Sequence, residues 1–316
     1  MTSPSPFDPV GSRPLRAAAE KAALWLAGFA RARMPETDLE GFCLALFGMA
    51  CALRVIPLEE QPAECQDETV RLLHRLTALQ RPGRSGLRSY LHAHSFVTPL
   101  LAAAALSSKS TEARSFRAMC LGEWKTIAKG PEIAADPVLL WTGRHLAAAA
   151  TGDHTCGGPP ALQVSEIPRR TSMYLATTNQ IQQIVREVAA LTAFGRQAPL
   201  LADAERAYLE DALPFWTFYF VKERDLDMVC PLVRALTYAG LQSKLECAAG
   251  LAFVLRQARA DGRFGMQEMS VHLQAATGPT PVDAAREIHL PLTVAALWAL
   301  ATCTQSASLF GGLRCT

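Results

Sequence analysis

The stretch PLRAAAEKAALWLAGF, residues 14–29, decides the fold class. Leu15, Ala19, Ala22, Leu26 and Phe29 recur at spacings of three and four, the period of a helix with one apolar face. Pro14 suits a first helical turn, where its missing N–H leaves no bond unmade. The same period continues outward along the chain. Thr37 followed by Glu40 has the spacing of a capping box and predicts a second helix through Phe42, Leu46, Met49 and Leu53 that stops before Pro57. Further helices are predicted over 66–80, 87–107, 111–128, 136–150, 170–194, 202–212, 214–221, 225–240 and 242–259, with a last long one over 290–305. Ala and Leu dominate these segments, and alternation of β-branched residues is sparse. The expectation is an all-α protein built of antiparallel helix pairs and α/α toroid-like in arrangement.

Residues 1–13 hold three prolines and no helical period, which reads as a flexible lead-in. Residues 14–316 read as a single all-helical domain, with a subdivision left open at the Gly- and Pro-rich break over 151–168. Half of the 316 residues are hydrophobic, enough for a core that needs no cross-links. The formal charge is +2, and the basic residues form no run or stripe, which argues against a nucleic-acid partner. The apolar runs around 41–56 and 290–301 are too short or too interrupted to span a bilayer. The nine cysteines show no Cys-x-x-Cys pair, and Cys43, Cys51, Cys230, Cys247 and Cys303 fall in apolar helical runs. Reduced thiols acting as small hydrophobes are expected, in a cytoplasmic protein.

Four features could carry chemistry. The loop TGDHTCGGPP, residues 151–160, places Asp153, His154 and Cys156 together, three side chains that can ligate zinc or act in catalysis, although no fourth ligand is close in sequence. A mobile loop with an Asx turn at Asp153 is the plainer reading. Glu268 and His272 are four apart, so on a helix the carboxylate could orient the imidazole as a general base; a surface pair is the alternative. His289 precedes the last helix and would either cap it or face a central opening. The run FWTFYF, residues 215–220, places Trp216, Phe218 and Tyr219 among five aromatics in six positions. A helix buried on two sides explains it, and so does an aromatic wall along an apolar pocket. There is no Gly-x-Gly-x-x-Gly, phosphate-binding loop, Gly-x-Ser-x-Gly or His-Glu-x-x-His, and no cofactor is implied.

Two segments carry a resemblance. Gln257-Ala-Arg-Ala-Asp261-Gly262-Arg-Phe264-Gly265 resembles the Gln-x-x-Asp-Gly-x-Phe/Trp-Gly repeat at helix ends in squalene-cyclase and protein-prenyltransferase toroids, where it ties helices together. The aspartate-rich motifs of terpene cyclases are absent. The order Leu191-Thr192-Ala193-Phe194-Gly195-Arg196, then Glu223-Arg224-Asp225-Leu226, Leu241 and the Gln257–Gly265 turn resembles a family of bacterial helical proteins over residues 180–302. That family has a Thr-His pair where this chain has Val185 and Arg186, and an aspartate where it has Ala193. Arg186 is therefore counted with the substrate-binding candidates. The resemblance implies a tailoring or accessory protein of natural-product biosynthesis. One reading is a tailoring protein that holds a small apolar or peptide-like substrate in a helical-toroid cavity. The other is a non-catalytic partner protein, for which the lost polar positions speak and which predicts an exposed apolar patch near 215–220 or the last helix.

Overall fold

The computed structural model describes residues 12–32, 38–80, 96–106, 109–152, 165–198, 201–265 and 281–304. Helix α1 (Ser12–Arg31) buries Leu15, Ala19, Ala22, Leu26 and Phe29, the five positions its spacing picks out, and leaves Glu20 and Lys21 exposed. Helix α2 (Leu39–Val55) begins later than the Thr37 spacing suggests. Its cap is Asp38, whose Oδ1 accepts the Gly41 N–H at 3.0 Å. A carboxylate there serves both the unpaired N–H and the positive end of the helix dipole. Apolar residues run round nearly the whole of α2, so it is buried on several sides.

The chain continues as α3 (Ala63–Thr77), α4 (Val97–Ala105), α5 (Thr111–Ile127), the single turn α6 (Pro131–Ala134) and α7 (Pro137–Thr151). Asp136 caps α7 by accepting the Leu139 N–H at 2.9 Å. After the short α8 (Glu166–Arg169) come α9 (Thr178–Leu191), α10 (Asp203–Lys222), α11 (Leu226–Tyr238), α12 (Leu245–Arg256) and α13 (Pro281–Thr304).

Three boundaries differ from the periodic reading, and one is the last helix, expected from 290, which already begins at Pro281 and so contains His289. The helix expected over 170–194 starts only at Thr178, because Arg170 takes a left-handed φ of 47° and the capping box of Thr177 and Gln180 opens α9. The expected break at Pro214 does not occur, and α10 runs through it as one rod. An interior proline costs about 3 kcal/mol. Burial of Leu213, Trp216 and Phe220 on the same helix offsets that, at roughly 1.5–3 kcal/mol for each large apolar side chain. Pro231 and Pro291 sit inside α11 and α13 in the same way.

Among the described residues there is no strand, only an isolated antiparallel bridge between Ala258 and Phe264. The fold is all-α, and no described helix is long and apolar enough to cross a membrane. Helix contacts run from α2 to α4, α4 to α7, α7 to α9, α9 to α11, α11 to α13 and α13 back to α2. Helices α1, α3, α5, α10 and α12 pack against members of that circuit. One apolar core runs through these helices, and it holds Cys43, Cys51, Cys230, Cys247 and Cys303 as free thiols. Burial pushes the Cys230 thiol up to about 12, so it stays protonated and acts as a hydrophobe, as its sequence context predicts.

Candidate functional site

Helices α4, α7, α9, α11 and α13 of the circuit line a cavity of about 380 Å³ that is partly open to solvent. Val97 and Leu101 of α4, Val138 of α7 and Ala189 of α9 give it apolar walls. Phe194, Tyr238 of α11 and Trp298 of α13 form its aromatic side. The volume lies at the lower end of the range for small-molecule sites, and a mostly apolar lining with a few polar groups is their usual composition.

Phe194 reaches this wall through an unusual turn. Ala193, Phe194 and Gly195 follow α9 with φ of 46°, 59° and 79°, three left-handed residues in succession, two of them not glycine. Each non-glycine residue in that region costs of order 1–3 kcal/mol, and such strain collects at binding sites. Hydrogen bonds hold the turn: Phe194 N–H donates to Ala189 O at 2.8 Å, and Gly195 N–H donates to Thr192 Oγ1 at 3.1 Å. The result sets the Phe194 ring 6.2 Å from both Tyr238 and Trp298. Phe47 meets Trp298 edge-on at 5.0 Å.

Arg234 supplies the charge. Its guanidinium carbon stacks 3.5 Å above the Trp298 ring, a cation–π contact. Its Nε and Nη1 are shielded from solvent and have no hydrogen-bond partner among the described residues. Burial lowers its pKa, but an arginine does not give up its proton in a protein. The cavity therefore carries a fixed positive charge. Arg186 and Asp136 also line it. Burial raises the Tyr238 hydroxyl pKa against the opposing pull of Arg234, Thr302 and Trp298, so the phenol stays neutral.

The structure distributes the sequence candidates unevenly. Arg186 lies at the cavity. Trp216 is 1% exposed in the core, and its Nε1 donates to the Met173 carbonyl at 2.9 Å, away from the cavity lining. Phe218 and Tyr219 are 49% and 48% exposed on the outer face of α10. The aromatic run thus divides around its helix, and the cavity wall comes from Phe194, Tyr238 and Trp298 instead. Asp153, His154, Cys156, Glu268 and His272 lie outside the described residues. Among the described residues no three His, Cys, Asp or Glu side chains gather as a metal site requires.

His289 is buried beneath the Gln257–Gly265 turn, with its Nδ1 3.0 Å from the Phe264 carbonyl. Thr293 Oγ1 accepts the Phe264 N–H at 3.0 Å, so α13 meets both backbone polar groups of Phe264. Asp261 Oδ1 accepts the Arg263 N–H, and Gly262 takes φ 90° against the backbone of α1 at Lys21. His289 thus lies inside α13 instead of capping it, is not among the residues lining the cavity, and ties the turn to that helix.

Sequence reasoning passed over Arg234 and Trp298. A signal was present: Arg234 is the single charge in the run MVCPLVRALTY, residues 228–238. No protein-family model matches the chain, and neither a curated protein nor a solved structure does.

Proposed function

We propose that this chain binds a small, largely apolar molecule in the cavity between α4, α7, α9, α11 and α13. The observation that carries the reading is the strained Ala193–Gly195 turn, which spends backbone energy to place the buried Phe194 ring, packed on Tyr238 and Trp298, in the wall of this cavity. The closed run of helix contacts supports an α/α-toroid arrangement with this cavity inside it. The resemblance over residues 180–302 suggests a setting in natural-product biosynthesis, as a tailoring protein or its accessory. Buried, protonated thiols are in keeping with a cytoplasmic location. The cavity's described polar groups, Asp136, Thr142, Gln183, Arg186, Arg234 and Tyr238, include no nucleophile paired with a base, which favours holding a molecule over transforming it.

The test is native mass spectrometry of the purified chain beside Ala189→Phe, which fills the cavity. A small molecule retained by the wild type and absent from the folded variant is the expected result. Equal retention by both would remove the cavity from consideration.

One observation favours a second reading, a partner protein without catalysis. Tyr174 and Leu175 are 75% and 78% exposed, and Tyr174 meets Phe215 edge-on at 5.1 Å, on the helix that also exposes Phe218 and Tyr219. Large exposed apolar groups of this kind mark interaction surfaces. Under this reading, the Tyr174→Ser, Leu175→Ser double variant loses a defined assembly seen by light scattering, and an unchanged mass would count against it.

A further inference from the structure

We infer that the molecule held in this cavity is an organic monoanion, an apolar or aromatic body bearing one carboxylate, with its charge seated against Arg234. The inference rests on the cavity being a binding site and adds the chemical class of what fills it.

A buried lysine can shed its proton, but a guanidinium cannot, so the half-buried Arg234 keeps its charge with Nε and Nη1 shut off from solvent and open to a partner in the cavity. The face of Trp298 at 3.5 Å balances part of it. No carboxylate forms an ion pair with Arg234 among the described residues. Asp227 lies two turns earlier on the same helix, and its pKa is raised, first by burial and then by Asp225, against the pull of Arg234. Asp136 lines the same cavity, but its Oδ1 is engaged with the Leu139 N–H at the head of α7. Arg186 also lines the cavity but is exposed, so water screens its charge, and the positive charge left without a protein partner is that of Arg234. A single anionic group is what that one unpartnered guanidinium accommodates. Carboxylate suits a planar guanidinium because it accepts two parallel N–H bonds at once. The rings of Phe194, Tyr238 and Trp298 then leave room for a flat apolar body alongside.

The experiment is isothermal titration calorimetry on the full chain with a matched pair, naphthalene-2-acetate and naphthalene-2-acetamide, repeated on Arg234→Gln and Arg234→Lys. The acid is expected to bind at least tenfold tighter than the amide. Arg234→Gln should remove that preference by weakening the acid far more than the amide, and Arg234→Lys should keep part of it. Equal binding of acid and amide by the wild type would overturn the anion inference and leave the cavity reading standing. No binding of either probe would count against the cavity itself. An acid preference that survives in Arg234→Gln would move the charge contact to another residue and overturn the assignment. Should Arg234→Gln fail to fold, the wild-type pair and Arg234→Lys still decide the matter.

Discussion

Two turns deliver a phenylalanine to the same helix, and they do so at different cost. The Thr192–Gly195 turn presents Phe194 to Trp298 of α13 with left-handed backbone at Ala193 and Phe194 as well as at Gly195. The Asp261–Gly265 turn inserts Phe264 beside His289 and Thr293 of the same helix, and its positive φ values fall only on Gly262 and Gly265. Both turns rest near a buried histidine. His145 lies at the Ala190 carbonyl and feels Arg196, just ahead of and behind the first turn, and His289 underlies the second. The relaxed turn ends in close packing, where the core itself determines the geometry. The strained turn ends at a cavity wall, where the buried Phe194 ring packs on Tyr238 and Trp298 and also borders open space.

The largest effect expected from breaking this comparison is at the relaxed turn. A Cβ at Gly262 would overlap the Lys21 carbonyl oxygen, a backbone atom that cannot rotate away, and φ there is 90°. Gly262→Ala should therefore cost about 3 kcal/mol or more in urea unfolding. A loss under 1 kcal/mol would show that α1 can yield.

The histidines give the next effect. Burial, then the charge of Arg196, lowers the His145 pKa to about 4, against an ordinary value of 6.5. The unfolded chain therefore takes up the proton first, and stability falls as the pH drops from about 6.5 toward 4. This group contributes no change above that window. The loss should reach about 2–3 kcal/mol by pH 4, from the rule of about 1.4 kcal/mol per unit. A His145→Gln variant should flatten that part of the curve relative to the wild type. Parallel curves would assign the acid sensitivity to other groups, His289 among them, since burial also lowers its pKa.

The second turn was legible in sequence, and the first was not. Asp261, Gly262, Phe264 and Gly265 each keep the local role that their residue type suggests: an Asx turn, a close approach, a core anchor and a left-handed glycine. The same holds for α1, whose five spaced apolar residues are all buried. Ala193 and Phe194 carry no local signal for positive φ, because tertiary contacts impose it. The cavity was hidden for a related reason. Asp136, Arg186, Arg234 and Trp298 meet only through the pairing of α7, α9, α11 and α13, and hydrophobic period gives faces but not partners. The run 215–220 misled for the converse reason: adjacency on a helix scatters side chains, so Trp216 points into the core while Phe218 and Tyr219 face out.

Gly195→Ala tests the strained turn from its glycine. The added Cβ would lie 2.9 Å from Tyr238 Cδ1, a side-chain atom that can shift, and the φ of 79° adds backbone strain. A loss of about 1–2 kcal/mol is expected, less than at Gly262, together with weaker binding of naphthalene-2-acetate because Tyr238 moves in the cavity wall.

The smallest change is the most informative, because it should improve the fold and harm the site. Ala193 has φ 46° and is buried, so glycine there removes left-handed strain without opening much space. Release of that strain is worth about 1–2 kcal/mol, and the greater freedom of glycine in the unfolded chain takes back about 0.5–1 kcal/mol. Ala193→Gly should thus raise stability by roughly 0.5–1 kcal/mol in urea unfolding. The same change frees the peptide that aims Phe194, so affinity for the naphthalene probes should fall severalfold, for acid and amide alike, since the ring and not the charge is disturbed. Higher stability with weaker binding would tie the strain to the cavity. Higher stability with unchanged binding would mean that the packing of Phe194 against Tyr238 and Trp298 holds the ring unaided, and the strain would then have no role in recognition.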